Sequence, residues 1–400
     1  MKKPRIIILM HYLELGGGEM SLLGLLGALN PDRVDVDLFI YSHQGPLMHF
    51  IPEYVNLLPE VASYAAIERP MTEAIKMMQL GVVCGRLRAN WKCRRFRNSY
   101  PAKGDDIALV QYIGDCVTPW LPKINPNVTY DLCISYMIPH NIGLKKVQAR
   151  KRLAWIHTDY STVDIDVNRE LPVWGAFDAI ASISDDVARE FVRVFPTLKD
   201  KIIGIENILS ANFIRHRADE FEALQLKKRG LALLSIGRYS YQKNFDNVPD
   251  IARRLIDKGV EDLTWYIIGY GGDETLIRQK IAEAGMEEHV IMLGKKDNPY
   301  PYIKACDIYV QPSRYEGKSI TVREAQIIGK PVAVTAYPTA SSQIKDRIDG
   351  VIVPLDNEGC ARGLAEFIAN KELQSRVVEH LRTHDYANTS EVEKIYDILK

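Results

Sequence analysis

Apolar positions along the chain gather into short runs at a steady rhythm. Arg5–Met10 is a continuous β-branched run, the pattern of a strand buried on both faces of a parallel sheet. A helical pattern follows through Leu29 and stops at Asn30-Pro31. Val34–Ile40 alternates as a second strand, and Val55–Leu58 predicts a short third. Asp131–Tyr136, Arg152–Ile156, Ala179–Ser184 and Ile202–Ile205 continue the series, with Ser184-Asp185-Asp186 as a helix cap. The pattern loosens at roughly 207–228 and then restarts. Leu231–Ile236, Leu263–Ile268, Val290–Leu293, Ile308–Val310, Val332–Thr335 and Val351–Val353 read as strands, most of them followed by helical patterns. Strands alternating with helices predict an α/β chain with parallel sheets. The pause at 207–228 reads as a linker between two such domains, and Ser390-x-x-Glu393 reads as a capping box opening a last helix.

Composition changes this picture little. Four hundred residues suit two domains, and 46% hydrophobic with 26% charged residues is ordinary for a globular chain. Net charge is zero, so the chain as a whole advertises neither nucleic acid nor an acidic partner. Six cysteines without CxxC or His/Cys ligand spacing read as reduced thiols of a cytoplasmic protein. Ile6–Met10 is too short for a signal peptide, and no run approaches eighteen apolar residues.

One segment breaks the neutrality. Residues 71–103 begin with helical spacing and then carry Arg86, Arg88, Lys92, Arg94, Arg95 and Arg97 among Leu87, Trp91 and Phe96, with no acid until Asp105. A basic segment studded with aromatics suits an anionic membrane surface, making a peripheral protein of the inner face of the plasma membrane. A solvated basic face is the bland alternative. No nucleic-acid recognition motif accompanies the patch.

Candidate chemistry centres on residues 311–331. A strand runs into a polar loop holding Glu316 and Gly317, and a helix opens near Ser319 and closes at Gly329. A helix start offers backbone N–H groups and a positive dipole end, which suit a diphosphate. Glu316 and Glu324 lie eight residues apart, and carboxylates accept well from vicinal hydroxyls of a sugar or ribose. Arg238 and Lys243, five apart after another strand, make a diphosphate clamp: Arg as a fork, Lys as a point charge. Gly16-Gly17-Gly18-Glu19 follows the first strand and reads as a phosphate-approaching loop or as a plain flexible turn. His157 closes a strand beside Thr158-Asp159, where open α/β sheets bind ligands. A structural histidine is the ordinary alternative. Asp164-Ile165-Asp166 spells a metal motif in an unconvincing place, and no metal or other cofactor is expected.

The ordered set Gly16-Gly17-Gly18-Glu19, Gly237-Arg238-x4-Lys243, Gly269-x-Gly271 and Glu316-x7-Glu324 resembles family 4 of the retaining nucleotide-sugar glycosyltransferases, over nearly the whole chain. The wording of residues 313–319 is similar to that of bacterial exopolysaccharide and capsule enzymes. The resemblance implies a GT-B fold, with two Rossmann-like domains facing across a cleft: residues 1–207 for the acceptor, 208–385 for the nucleotide-sugar donor, and 386–400 as a helix crossing back. It implies that Arg238 and Lys243 bind the donor diphosphate, Glu324 the ribose and Glu316 the transferred sugar. The backbone of Lys318–Ile320 would meet phosphate or sugar, Gly16–Gly18 would line the cleft, His157 would lie near the donor sugar, and Gly294-Lys295 near the base. The acceptor would be a glycan or a polyprenyl-diphosphate-linked saccharide. The commoner Glu-Gly-Phe-Gly wording is Glu316-Gly317-Lys318-Ser319 here, and the linker's usual Pro-Asn-Gly is Glu206-Asn207-Ile208. An epimerase of the same architecture and a non-catalytic scaffold are the rival readings.

Overall fold

The computed structural model describes residues 3–14, 16–100, 105–158, 160, 163–223, 226, 230–316 and 318–400. These divide into two compact units, Met1–Ser210 with Asn388–Lys400, and Ala211–Ala387.

The first unit holds a seven-stranded sheet among the described residues. Its strands are β1 (Arg5–Met10), β2 (Asp35–Ile40), β3 (Asn56–Leu57), β4 (Tyr130–Ser135), β5 (Ala149–Ile156), β6 (Ala179–Ser182) and β7 (Ile202–Gly204). All pairings are parallel, in the order β3-β2-β1-β4-β5-β6-β7. Ile6 sits between Val36 on one side and Leu132 on the other. Buried between two neighbours and covered on both faces, β1 needs the unbroken apolar run its sequence supplies.

The second unit repeats the scheme with six strands: β8 (Leu231–Ile236), β9 (Leu263–Ile268), β10 (Val290–Gly294), β11 (Ile308–Gln311), β12 (Val332–Thr335) and β13 (Val351–Val353). Its order, again all parallel, is β10-β9-β8-β11-β12-β13. Each sheet therefore grows outward in both directions from its first strand. The direction in which strands are added to the sheet reverses between β1 and β4 in one unit and between β8 and β11 in the other. In such sheets the loops that leave these two strands part company, and the crevice between them is where ligands bind.

The helices used below are α1 (Gly17–Ala28), α2 (Ala62–Glu68), α3 (Leu80–Ser99), α4 (Ala211–Ala218), α5 (Val248–Asp257), α6 (Tyr300–Ala305), α7 (Ile320–Ile328) and α8 (Glu393–Leu399). Gly24 lets α1 lie directly on the backbone of Ile208, since a side chain there would overlap the Ile208 carbonyl. The last segment belongs to the first unit. Tyr396 accepts a hydrogen bond from the Asn30 amide at 2.7 Å, and Arg33 pairs with Glu393 at 2.6 Å.

Three expectations need correcting. The loosened stretch at 207–228 carries α4, whose Phe213, Ile214 and Ala218 are buried; its apolar residues are too few to stand out as a periodic pattern. The third strand shrinks to Asn56–Leu57. The Ser390 capping box does not form: Thr389–Val392 is a 3-10 turn and α8 begins at Glu393 without a side-chain cap. By contrast, Ser184 does cap its helix, accepting from the Val187 amide at 3.2 Å.

Candidate functional site

The second unit assembles its polar cluster at the crevice between β8 and β11. The loop after β8 carries Arg238, makes a 3-10 turn at Tyr241–Lys243 and turns left-handed at Asn244, φ 60°. The two cations do not sit directly at a helix start, because α5 begins only at Val248. The loop after β11 carries Ser313, Arg314, Tyr315 and Glu316. The two loops are stitched together. Asn244 donates to the Pro312 carbonyl at 2.9 Å, and the Arg314 amide donates to the Gln242 carbonyl at 2.8 Å. Arg314 forks onto Asp246 at 2.9 and 2.7 Å and lies 4.1 Å from the Tyr241 ring centre.

This stitching brings Lys243 against Glu316, Nζ to Oε1 at 2.6 Å. The Glu316 side chain is only 6% exposed, and it is held by neutral donors as well. Ser313 Oγ donates to Oε1 at 2.6 Å, Gln311 Nε2 to the same oxygen at 3.3 Å, and Gln242 Nε2 to Oε2 at 3.2 Å. Tyr309 and Thr321 orient Gln311 in turn by donating to its Oε1. A buried carboxylate needs such partners, since an unpaired charge there is costly. Arg238 is exposed, and its side chain has no hydrogen-bonded or ionic partner among the described residues. With Ser240, Tyr241, Gln242, Lys243 and Tyr315 it lines a cavity of about 350 Å³.

Helix α7 behaves differently from the expectation of free N–H groups at its start. Gln343 pairs with the Ser319 backbone, accepting from its amide at 2.9 Å and donating to its carbonyl at 2.6 Å. The Ser319 hydroxyl bonds Thr321 at 3.0 Å. Lys318 is exposed, Ile320 opens the helix, and Gly317 lies outside the described residues. Glu324 is buried one turn further on and accepts from the Tyr300 hydroxyl of α6 at 2.8 Å. Burial pushes its carboxyl up to about 7, against the opposing hydrogen bond from Tyr300.

The glycines after β9 have a packing reason. Gly269 and Gly271 take φ of 158° and 153°, and a Cβ on either would overlap the backbone of Gly237 or Tyr239. They let the loop after β9 lie flat against the loop that carries Arg238. Gly294 ends β10 with φ 70°, and the Lys295 ammonium sits 5.6 Å from the Tyr270 ring centre.

In the first unit, Gly16 stands at the N-terminal cap of α1, and Gly17 and Gly18 form its first turn. The Glu19 carboxylate occupies the space a side chain on Gly16 would need. His157 follows β5 with its ring 4.6 Å from that of Tyr136 and stacked at 6.0 Å on Trp155. Burial pulls its imidazole down to about 4, so it is neutral at physiological pH, and its Nε2 is buried without a partner among the described residues. Asp159 lies outside those residues. The Asp164/Asp166 pair is engaged structurally: Asp166 precedes a helix and accepts from Tyr112 at 2.7 Å. Among the described residues no group of three or more His, Cys, Asp or Glu is placed to hold a metal ion.

Sequence reasoning overlooked several members of these clusters. Gln242 and Gln343 are uncharged and carry no motif signal, and Gln311 and Ser313 lie within residues 311–331 without an assigned role, yet all four fix Glu316 or Ser319. His11, after β1, pairs with Glu68 of α2 at 3.0 Å. Burial lowers its pKa but the Glu68 carboxylate overrides this, leaving it raised.

Comparison with known proteins bears on this arrangement. Residues 216–384, most of the second unit, match the family model described as glycosyl transferases group 1. Over its length the chain is similar to Anabaena Alr3699/HepE solved in complex with UDP, with TM-score 0.59, 14% identity and 99% of both chains covered. The fold is GT-B. Sequence relatives include the amylovoran biosynthesis glycosyltransferase AmsD of Erwinia amylovora, 28% identical over 42% of this chain and 47% of that one. Another is the Escherichia coli UDP-Gal:alpha-D-GlcNAc-diphosphoundecaprenol alpha-1,3-galactosyltransferase, 25% identical over 34% of this chain and 35% of that one. The chain spans about half the length, or less, of the curated relatives it matches. The GT-B architecture read from the sequence is thus the one observed, and the matched segment contains every charged residue of the β8/β11 crevice.

Proposed function

We propose that this protein is a glycosyltransferase that moves a sugar from a nucleotide diphosphate sugar, a UDP-sugar in the first instance, to a hydroxyl of a glycan or lipid-linked saccharide, in the building of cell-surface polysaccharide. The observation that carries the reading is the meeting of Lys243, Glu316 and exposed Arg238 at the crevice between β8 and β11. The family match over the same residues and the names of the relatives support it, as does a structural neighbour solved with UDP.

On this reading the bond between the anomeric carbon and the β-phosphate oxygen breaks as the acceptor oxygen bonds to that carbon. Negative charge builds on the departing diphosphate. Arg238 and Lys243 offset it, which preorganised charge does best and which removes the need for a divalent metal. Lys243 leaves Glu316 for the phosphate, and Glu316 then accepts from hydroxyls of the donor sugar. Glu324 accepts from the ribose diol. The departing phosphate takes the acceptor proton on the same face, so configuration is retained and no side chain acts as nucleophile. Gly294-Lys295 would serve the base, His157 the donor sugar, and the first unit with Gly16–Gly18 the acceptor side. Lys318 and Ser319 replace the commoner Phe-Gly beside Glu316 and are assigned to donor choice.

A donor panel of UDP-, GDP- and ADP-sugars by thermal shift, followed by turnover on a diphosphate-lipid-linked saccharide, tests the proposal. The expected result is nucleoside diphosphate released only with acceptor present, undiminished by EDTA, and a product with the donor's anomeric configuration by NMR. Interconversion of the donor without acceptor would show an epimerase. Tight donor binding with no turnover on any acceptor would show a scaffold.

A further inference from the structure

Helix α3 departs from what a surface helix ordinarily shows. At 100° per residue, Val82, Gly85, Ala89 and Cys93 fall on one face and are buried. Leu80, Cys84, Leu87, Trp91, Arg94 and Asn98 fall on the opposite face and are exposed. Leu80 is 58% exposed, Leu87 57% and Trp91 60%. The apolar surface continues past the helix start, where Met78 is exposed and the exposed Trp120 lies over Gly81. Large apolar side chains left exposed together on one helix face in this way mark an interaction site.

Charge then narrows the partner. Residues 80–99 hold five arginines and one lysine and no acid. Arg86 is consumed internally, donating to the carbonyls of Ala66 and Arg69 at 2.8 and 2.6 Å. Arg88, Lys92, Arg94 and Arg95 have no ion pair among the described residues, and Arg95 lies 5.9 Å from the Trp91 ring centre. Beside them a cavity of about 420 Å³ is lined by Trp91, Lys92, Arg95, Tyr100, Tyr112 and Arg169, among others. Arg169 is already held by Asp115 and Asp166, at 2.9 and 3.4 Å. Lys92 and Arg95 are the cations left to an incoming anion.

We propose that this face of α3 docks on an anionic lipid bilayer, with Leu80, Leu87, Trp91 and Trp120 entering the headgroup layer and Arg88, Lys92, Arg94 and Arg95 engaging headgroup phosphates. The aromatic and basic cavity takes one such phosphate. Two competing occupants fit worse. A second copy of the chain in a two-fold contact would set this basic surface against itself. Nucleic acid would use the cations but not the exposed Leu80 and Leu87. Docking requires no turnover, so the proposal stands or falls apart from the transfer reaction.

The test is sedimentation of the full chain with phosphatidylcholine vesicles, with and without phosphatidylglycerol. The protein is expected to bind only the anionic vesicles, less tightly as salt rises. The triple variant Arg88→Gln/Arg94→Gln/Arg95→Gln should lose roughly fivefold per charge, on the order of a hundredfold together. Leu87→Ser/Trp91→Ser should abolish the binding that persists at high salt. All these side chains are exposed, so both variants should keep the wild-type melting temperature and donor affinity. Wild-type protein that stays in the supernatant with anionic vesicles overturns the proposal, as do variants that sediment like wild type. So does a dimer in solution that Trp91→Ser dissolves while vesicle binding is unchanged, or binding to DNA in preference to vesicles.

Discussion

At the scale of single residues, the crevice of the second unit is defined by competition for Lys243. Its ammonium offsets the buried Glu316, and the proposed transfer would ask it to offset a diphosphate as well. Lys243→Ala should therefore do two separable things. It should lower kcat by two to three orders of magnitude, about the cost of losing one preorganised charge contact. It should also lower stability by about 2 kcal/mol, because Glu316 keeps its neutral donors but loses its charged one. Lys243→Met with Glu316→Gln removes both charges together, so denaturant melts should show stability recovering while turnover stays low. Recovery of turnover would mean that the pair is purely structural. Glu324 makes a second prediction. Its folded pKa of about 7 lies above the value for an exposed carboxyl, so the native state holds a proton that the unfolded chain gives up. This contribution to stability is complete at low pH and is lost as pH rises through about 7, and Glu324→Gln should flatten that part of the profile. A ribose diol is bound best by the ionised form. Donor affinity should then rise between pH 6 and 8, with proton release on binding, seen by calorimetry in buffers of different ionisation enthalpy.

At the scale of elements, most strands of the two large sheets were legible because each is a short, nearly continuous apolar run, while Asn56–Leu57 lacks one and was read too long. Leu231–Ile236 and Leu263–Ile268 have the same ends in the sequence reading and in the fold. The meeting of the loops was not legible. Lys243 and Glu316 are 73 residues apart, and only the placing of β8 beside β11 brings their loops together. The residues that fix the geometry there are glutamines and serines, whose roles depend on what they face. Helix α3 is an intermediate case. Its basic character was plain from sequence, but only the fold separates Arg86, bound to two carbonyls, from the arginines that reach solvent. The Gly269-x-Gly271 element was read as part of a motif, and the structure adds a packing reason for both positions. Gly271→Ala should strain a left-handed backbone and press on Tyr239, costing about 1–3 kcal/mol. Because Tyr239 belongs to the loop of Arg238 and Lys243, KM for the donor should rise as well. A variant as stable and active as wild type would remove the packing role assigned to this glycine.

At the scale of the whole molecule, two successive strand–helix rhythms gave two sheets, of seven and six strands, whose first six strands follow the same order, each built outward from its first strand. The chain's path between them is less simple, since the last thirteen residues, Asn388–Lys400, return to the first unit. Their hold there is specific. Val392, Ile395 and Tyr396 are buried. Arg33 lies 3.6 Å from the Tyr396 ring centre while pairing with Glu393, and Lys151 donates to the Ile398 carbonyl at 2.8 Å. The Glu391 carboxylate accepts from the Glu206 amide at 2.9 Å. Burying three such side chains contributes about 4–8 kcal/mol as an upper estimate, comparable with the whole stability of a typical domain. Deleting residues 388–400 should therefore loosen the first unit selectively. In hydrogen exchange followed by mass spectrometry, peptides from β1 and β2 should lose protection, while those from β8 and β9 keep it. Tyr396→Ala should do the same to a smaller degree, since it removes the ring under Arg33 and the acceptor of the Asn30 amide but leaves Ile395 in place. Equal loss in both units would mean that they unfold as one cooperative body. No loss in either would mean that α8 rests on the first unit without supporting it.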